Sequence, residues 1–127
     1  MSDCVIDTSV VLAFVFNEPG RELAGRLFPG SLISTVNLAE FVTKLTARGM
    51  SEAQIQFELT QLNLTSVPFD SGLAIATGLL RTATSCLGLS LGDRACLGLA
   101  LREKLPVYTA DRAWAGLDLG VEIRLLR

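Results

Sequence analysis

Short apolar, partly β-branched runs punctuate this chain, and the stretches between them carry helical signals. Cys4–Ile6, Leu32–Thr35, Thr65–Val67, Pro106–Thr109 and Val121–Leu125 are strand-like runs, too short for stable helices and bounded by turn residues. Helices are predicted over Val10–Phe16, Arg21–Phe28, Asn37–Arg48 and Glu52–Leu62, then from the cap Asp70 to about Thr84, and over Leu91–Glu103. Asn17-Glu-Pro-Gly20 and Pro29-Gly30 stop the first two, and Gly49 is a C-cap candidate for the third. Ser51-Glu-Ala-Gln54 has capping-box spacing, Thr8 or Ser9 can cap the first helix, and Ser90 caps the helix from Leu91. That helix is apolar nearly all round, through Leu91, Ala95, Cys96, Leu97, Leu99, Ala100 and Leu101. It is therefore expected at the centre of the molecule. A short helical turn is expected over Asp111–Ala115.

Strands alternating with helices predict a parallel sheet covered on both faces. The functional crevice of such a sheet lies beyond the carboxyl ends of its strands. A length of 127 residues suits one domain, residues 1–127, with a single core. Arg, Glu or Gly interrupts every apolar run before it reaches the ~18–20 residues of a membrane span. The opening Met-Ser-Asp-Cys-Val-Ile-Asp has no basic stretch of the kind a signal peptide needs. Cys4, Cys86 and Cys96 sit among apolar residues without metal-ligand spacing, and read as small core hydrophobes in a reducing compartment. The expectation is a cytoplasmic protein without a membrane partner.

The same pattern isolates four carboxylates in apolar settings. They are Cys-Val-Ile-Asp7, Val-Asn-Leu-Ala-Glu40-Phe-Val, Leu-Ser-Leu-Gly-Asp93-Arg-Ala-Cys-Leu and Val-Tyr-Thr-Ala-Asp111. A buried carboxylate is costly unless it is paired or binds a metal. The chain has only 11 basic residues and no histidine. An oxygen-lined site for a hard divalent cation follows. Each acid also has a local alternative: a strand end for Asp7, an ion pair with Lys44 for Glu40, the helix dipole for Asp93, and a cap for Asp111. Asp7 and Asp111 lie just past strand ends, Glu40 lies one turn into the helix after the second strand, and Asp93 is in the first turn of the most apolar helix. All four are thus expected to converge at one sheet edge.

The missing histidine excludes Ser-His-Asp and Cys-His hydrolysis, imidazole acid–base cleavage of RNA and His-ligated zinc. Neither Gly-x-x-x-x-Gly-Lys-Ser/Thr nor Gly-x-Gly-x-x-Gly occurs. Net charge is -2, but gathering four acids around a cation leaves the remaining surface slightly basic. Nine of the basic residues are Arg, the better phosphate ligand. A phosphodiester substrate is therefore permitted.

Val-Ile-Asp7-Thr-Ser, Glu40 after the second strand, Leu-Ser-Leu-Gly-Asp93-Arg-Ala-Cys-Leu and Val-Tyr-Thr-Ala-Asp111-Arg-Ala-Trp, in this order, resemble PIN-domain ribonucleases. The resemblance spans essentially the whole chain and is closest to VapC-like toxins of type II toxin–antitoxin pairs. It implies a three-layer α/β/α sandwich with a central, mainly parallel sheet. It also implies an Mg²⁺- or Mn²⁺-dependent endoribonuclease, a homodimer, and a VapB-like antitoxin that wraps an apolar groove and inserts a basic side chain into the acidic pocket. By position, Asp7, Glu40, Asp93 and Asp111 match the family's acidic quartet, and Ser9 and Thr109 match hydroxyls beside it. The family often carries a further acid beside the third position, where Gly92 and Arg94 flank Asp93 here.

The expected chemistry is metal-assisted hydrolysis of RNA. Asp7 and Asp93 are the main metal ligands, Asp111 holds a second ion or acts through water, and Glu40 binds metal or orients the attacking water. Arg94 and Arg112 are candidates for substrate phosphates. Phe14, Val15, Phe16, Phe57 and Leu62 are candidates for a partner interface. Two alternatives stand beside this reading: a PIN-like domain that works mainly by binding a partner, and a phosphoryl-receiver-like switch, which needs a Lys after a late strand.

Overall fold

The first strand decides the layering. In β1 (Cys4–Ile6), Cys4 and Ile6 join one buried cluster and Val5 joins the other, as the two-residue period of a strand requires. Ile33 and Leu32 of β2 (Ser31–Ser34) divide in the same way. The computed structural model describes all residues 1–127. It contains a five-stranded sheet with β3 (Thr65–Val67), β4 (Val107–Thr109) and β5 (Ile123–Leu125), in the order β3-β2-β1-β4-β5. Every pair is parallel.

Helices α1 (Thr8–Val15), α2 (Arg21–Leu27), α3 (Thr35–Ala47) and α4 (Glu52–Gln61) supply the cluster around Ile6, Val10, Phe41 and Leu45. Helices α5 (Ser71–Leu79) and α7 (Leu91–Glu103), with the 3₁₀ turn Arg112–Gly116, supply the cluster around Val5, Leu73, Leu97 and Trp114. A four-residue α6 (Arg81–Thr84) follows α5. The result is the three-layer α/β/α sandwich. No helix is long and apolar enough to cross a membrane.

Helix α7 is buried along Ala95–Ala100, as its composition predicts, and a Cβ on Gly98 would lie 2.9 Å from Thr77 Oγ1 on α5. The missing side chain lets the two helices pack closely. The helix expected to run unbroken from Asp70 to Thr84 stops at Leu80, whose amide bonds back three residues to Thr77. Gly78 weakens the helix just before this tightened turn.

Of the candidate interface residues, Phe14, Val15, Phe16 and Leu62 are half-buried against the first cluster. Phe57 alone among the five is largely exposed, at 62%. Ile75 and Leu79 on α5 are more exposed still, at 66% and 77%, and the sequence pattern did not single them out.

Candidate active site

Strand order places the site. The chain builds outward from β1 to β2 and β3, then returns to the other side of β1 for β4 and β5. The carboxyl ends of β1 and β4 therefore flank a topological switch point, where open parallel sheets leave a crevice. Asp7 follows β1 and Asp111 lies two residues past β4. The N-terminal turns of α3 and α7 close the same end, since Asn37 Nδ2 donates to the Gly92 carbonyl at 3.0 Å.

Asp7 is only 6% exposed. Its Oδ2 accepts from Ser9 Oγ at 2.7 Å and Thr109 Oγ1 at 3.0 Å. These hydroxyls are themselves fixed from the second strand end: Ser9 Oγ accepts the Ala110 amide at 2.9 Å and Thr109 Oγ1 the Asp111 amide at 3.0 Å. Asp7 heads α1 but makes no side-chain cap bond, because the hydroxyls hold its carboxylate. Burial pushes its pKa up to about 6; the Ser9 and Thr109 bonds oppose this, and the Asp93 and Glu40 charges add to it.

Glu40 does not pair with Lys44. Its Oε1 accepts from Thr8 Oγ1 at 2.8 Å and Asn37 Nδ2 at 2.9 Å, and Lys44 enters no ion pair. Asn37 is fully buried and was not among the expected site residues. Its polar side chain three residues before Glu40, within an apolar stretch, is the signal that could have found it. Asp93 Oδ2 accepts the Ser90 amide at 3.0 Å, closing a capping box. Asp111 Oδ1 accepts the Ala113 amide at 3.0 Å.

A common arrangement runs through the four acids. Each has one oxygen held by the protein, while Asp7 Oδ1, Glu40 Oε2, Asp93 Oδ1 and Asp111 Oδ2 receive no protein hydrogen bond. None of these free oxygens is an enclosed, unsatisfied atom. Asp7, Asp93 and Glu40 also act together on buried Cys96, one turn along α7 from Asp93; burial and then these three charges drive its thiol well above the usual range. Asp111 is absent from both sets of interactions and is exposed at the rim. The four acids thus form an inner three and an outer one.

No three acidic or cysteine side chains lie close enough to enclose an ion. The donor set nevertheless fits a hard cation. All its donors are oxygens, and Mg²⁺ keeps several waters while using one or two carboxylates directly.

The structure turns the expectation for Arg94 around. Its Nη1 donates to the Thr77 carbonyl at 3.2 Å and its Nε is buried without a partner, so the guanidinium faces α5. Arg112 is exposed beside Asp111 and makes no ion pair. Lys104 ends α7 before β4 begins, at the opposite sheet edge from Asp7, where a receiver-type lysine could not serve the pocket.

Gly92 explains the departure at the third acidic position. A Cβ there would overlap the Glu40 carboxylate. The overlapped group ends a flexible side chain, so Gly92→Ala is expected to displace Glu40 rather than unfold the chain. Thermal melting should change little, because Ala favours the helix by about 1 kcal/mol. RNA cleavage should fall about 10- to 100-fold through misplacement. In a Glu40→Ala background the added methyl should cause no further loss; an equal further loss would sever the link to Glu40.

Fold and site together define an α/β protein with a cluster of carboxylates at the switch point of a parallel sheet. The PIN domain family matches residues 4–118. Ribonuclease VapC5 of Mycobacterium tuberculosis is 30% identical over 129 residues, covering 97% of this chain and 93% of that protein. The fold is shared with DNA-bound VapBC from Salmonella typhimurium, at TM-score 0.76 and 22% identity over 100% of both chains. It is also shared with VapBC-5 from Mycobacterium tuberculosis, a member of the VapBC family of toxin-antitoxin systems, at TM-score 0.62 and 24% identity over 100% of this chain and 99% of that one. This chain belongs to the PIN-domain family, among its VapC-like ribonucleases.

Proposed function

We propose that this chain is the ribonuclease toxin of a toxin–antitoxin pair, cutting RNA phosphodiester bonds in the cytoplasm with Mg²⁺ or Mn²⁺. The reading rests on the four carboxylates that each have one oxygen tied to the protein and the other free at the switch point. Such anchoring fixes negative charge in place before substrate arrives, which is the condition for electrostatic preorganisation.

Asp7 and Asp93 hold the cation, Asp7 being oriented by Ser9 and Thr109. Asp111 acts from the rim, through water or on a second ion. Glu40, held by Thr8 and Asn37, orients the attacking water or accepts its proton. When bound, the divalent ion supplies acidity to water and offsets charge on the phosphate oxygens. Arg112 is the remaining candidate for a substrate phosphate beside the acids.

The family membership supports a VapB-like antitoxin as partner and a homodimer as assembly. In the resting pair, a basic antitoxin side chain neutralises the acidic crevice. The whole of residues 1–127 acts as one PIN-like domain.

Incubation of the purified chain with RNA in Mg²⁺ or Mn²⁺ is expected to give discrete cleavage, visible by end-mapping, that EDTA abolishes. Cleavage undiminished by EDTA would overturn the metal-dependent reading. A chain that binds its antitoxin but cuts no RNA under any divalent ion would instead be a partner-binding domain.

A further inference from the structure

Helix α3 carries Glu40 and Lys44 four residues apart, and Arg48 follows at the same interval as its C-cap residue, a spacing that aligns them along one face. The stripe leads from an acid of the site to two cations. Across from it lie Ser9 and Leu12 of α1 and Phe16, the residue that ends that helix. Between the two runs a groove of about 330 Å³, whose lining begins at Ser9 and reaches Arg48. Ser9 is the hydroxyl bonded to Asp7, so the groove shares a lining residue with the site.

The charges in the groove are unbalanced. Neither Lys44 nor Arg48 enters an ion pair. Glu18 on the opposite wall is matched from outside by Arg127 at 3.5 Å. The Arg48 guanidinium lies 4.0 Å above the Phe16 ring, which steadies its plane and leaves the other face open. A groove with an aliphatic floor, two free cations and a guanidinium–aromatic stack has the components of a single-strand nucleic-acid track. A base can stack on the open guanidinium face while Lys44 meets a backbone phosphate as a point charge.

We infer that the α1–α3 groove carries the single-stranded RNA flanking the scissile phosphate, with Lys44 holding a phosphate and Arg48 on Phe16 supporting a neighbouring base. This assignment rests on the ribonuclease reading of the adjacent carboxylates. It accounts for Lys44 standing free although Glu40 is four residues away.

The test is anisotropy binding of a short, fluorescein-labelled, mixed-sequence single-stranded RNA to the chain in EDTA across a NaCl series. It uses wild type, Lys44→Ala, Arg48→Ala and the double variant, with Arg81→Ala on α6 as a control outside the groove. Circular dichroism melts verify that each variant folds. Arg48→Ala should weaken binding about fivefold or more through the lost stacking surface. Lys44→Ala should weaken it about threefold and lower the log–log salt slope by about 0.7, the value for one single-strand phosphate contact. Arg81→Ala should bind as wild type.

If wild type binds and cuts RNA while the double variant matches it in affinity and salt slope, the groove assignment falls and the ribonuclease reading stands. If wild type neither binds nor cuts RNA with Mg²⁺ or Mn²⁺, both fall. If the double variant keeps RNA affinity but loses capture of its antitoxin, the groove belongs to a protein segment and the RNA assignment is overturned.

Discussion

Asp7→Asn is expected to lower RNA cleavage in saturating Mg²⁺ by about 10²–10³-fold or more, the scale seen when one preorganised electrostatic group is removed. The substitution is informative because it spares the geometry. Asn retains an oxygen to accept from Ser9 and Thr109, which now hold Asp7 Oδ2 at 2.7 and 3.0 Å. What disappears is the charge and the second carboxylate oxygen, which no protein group bonds. Asp93→Asn should behave alike, since Asn can still accept the Ser90 amide that closes the capping box. Asp111→Asn should cost less, about tenfold, because Asp111 stands exposed at the rim and apart from the inner three. The check is single-turnover cleavage of one end-labelled RNA by all three variants. Wild-type rates in Asp7→Asn would remove the crevice from the chemistry.

How far the sequence foretold this structure depends on whether the deciding interactions are local. Cys4–Ile6, Thr65–Val67 and Leu91–Glu103 have the boundaries read from the chain. Their signals lie within a few residues: a β-branched run, a flanking Pro, a Ser90 cap. The start of α1 was misjudged for the opposite reason. Thr8 or Ser9 was expected to cap a helix from Val10, whereas the helix begins at Thr8 and neither hydroxyl caps it. Ser9 instead bonds Asp7 and the Ala110 amide, and no local rule can see a partner 101 residues away.

The site divides along the same line. That four acids lay in apolar contexts was legible, because burial cost is a property of the run around each one. Their partners were not. Glu40 carried a nearby Lys44 as its local partner, yet Thr8 and Asn37 hold it and Lys44 stands free. Arg94 adjoins Asp93 in the chain, but successive helix positions diverge by about 100°, and its guanidinium meets α5. The switch point between β1 and β4 required the strand order, which alternation of strands and helices does not specify.

The cost of that buried site is measurable without substrate. Asp7 is held at a pKa of about 6 in the fold, chiefly by burial, against an ordinary 3.8. Between these values the folded chain keeps a proton that the unfolded chain has released. Stability is therefore greatest below the lower value, falls as pH rises through the window, and is lowest above the upper one. The difference is on the order of 3 kcal/mol. Asp7→Asn removes it, since Asn has no charge to bury and keeps an acceptor for both hydroxyls. In EDTA at pH 7 the variant should melt about 10 °C above wild type, and the gap should close near pH 4. Mg²⁺ or Mn²⁺ should raise the wild-type melting point by stabilising the charged carboxylate, with little effect on Asp7→Asn. Melting curves of the two chains across pH, with and without divalent ion, decide the matter. Parallel pH profiles would mean that Asp7 is not strained in the fold. A response of both chains to metal would place the ion elsewhere. The expected result couples the two properties: a carboxylate whose burial costs the fold stability is one whose charge cleavage requires.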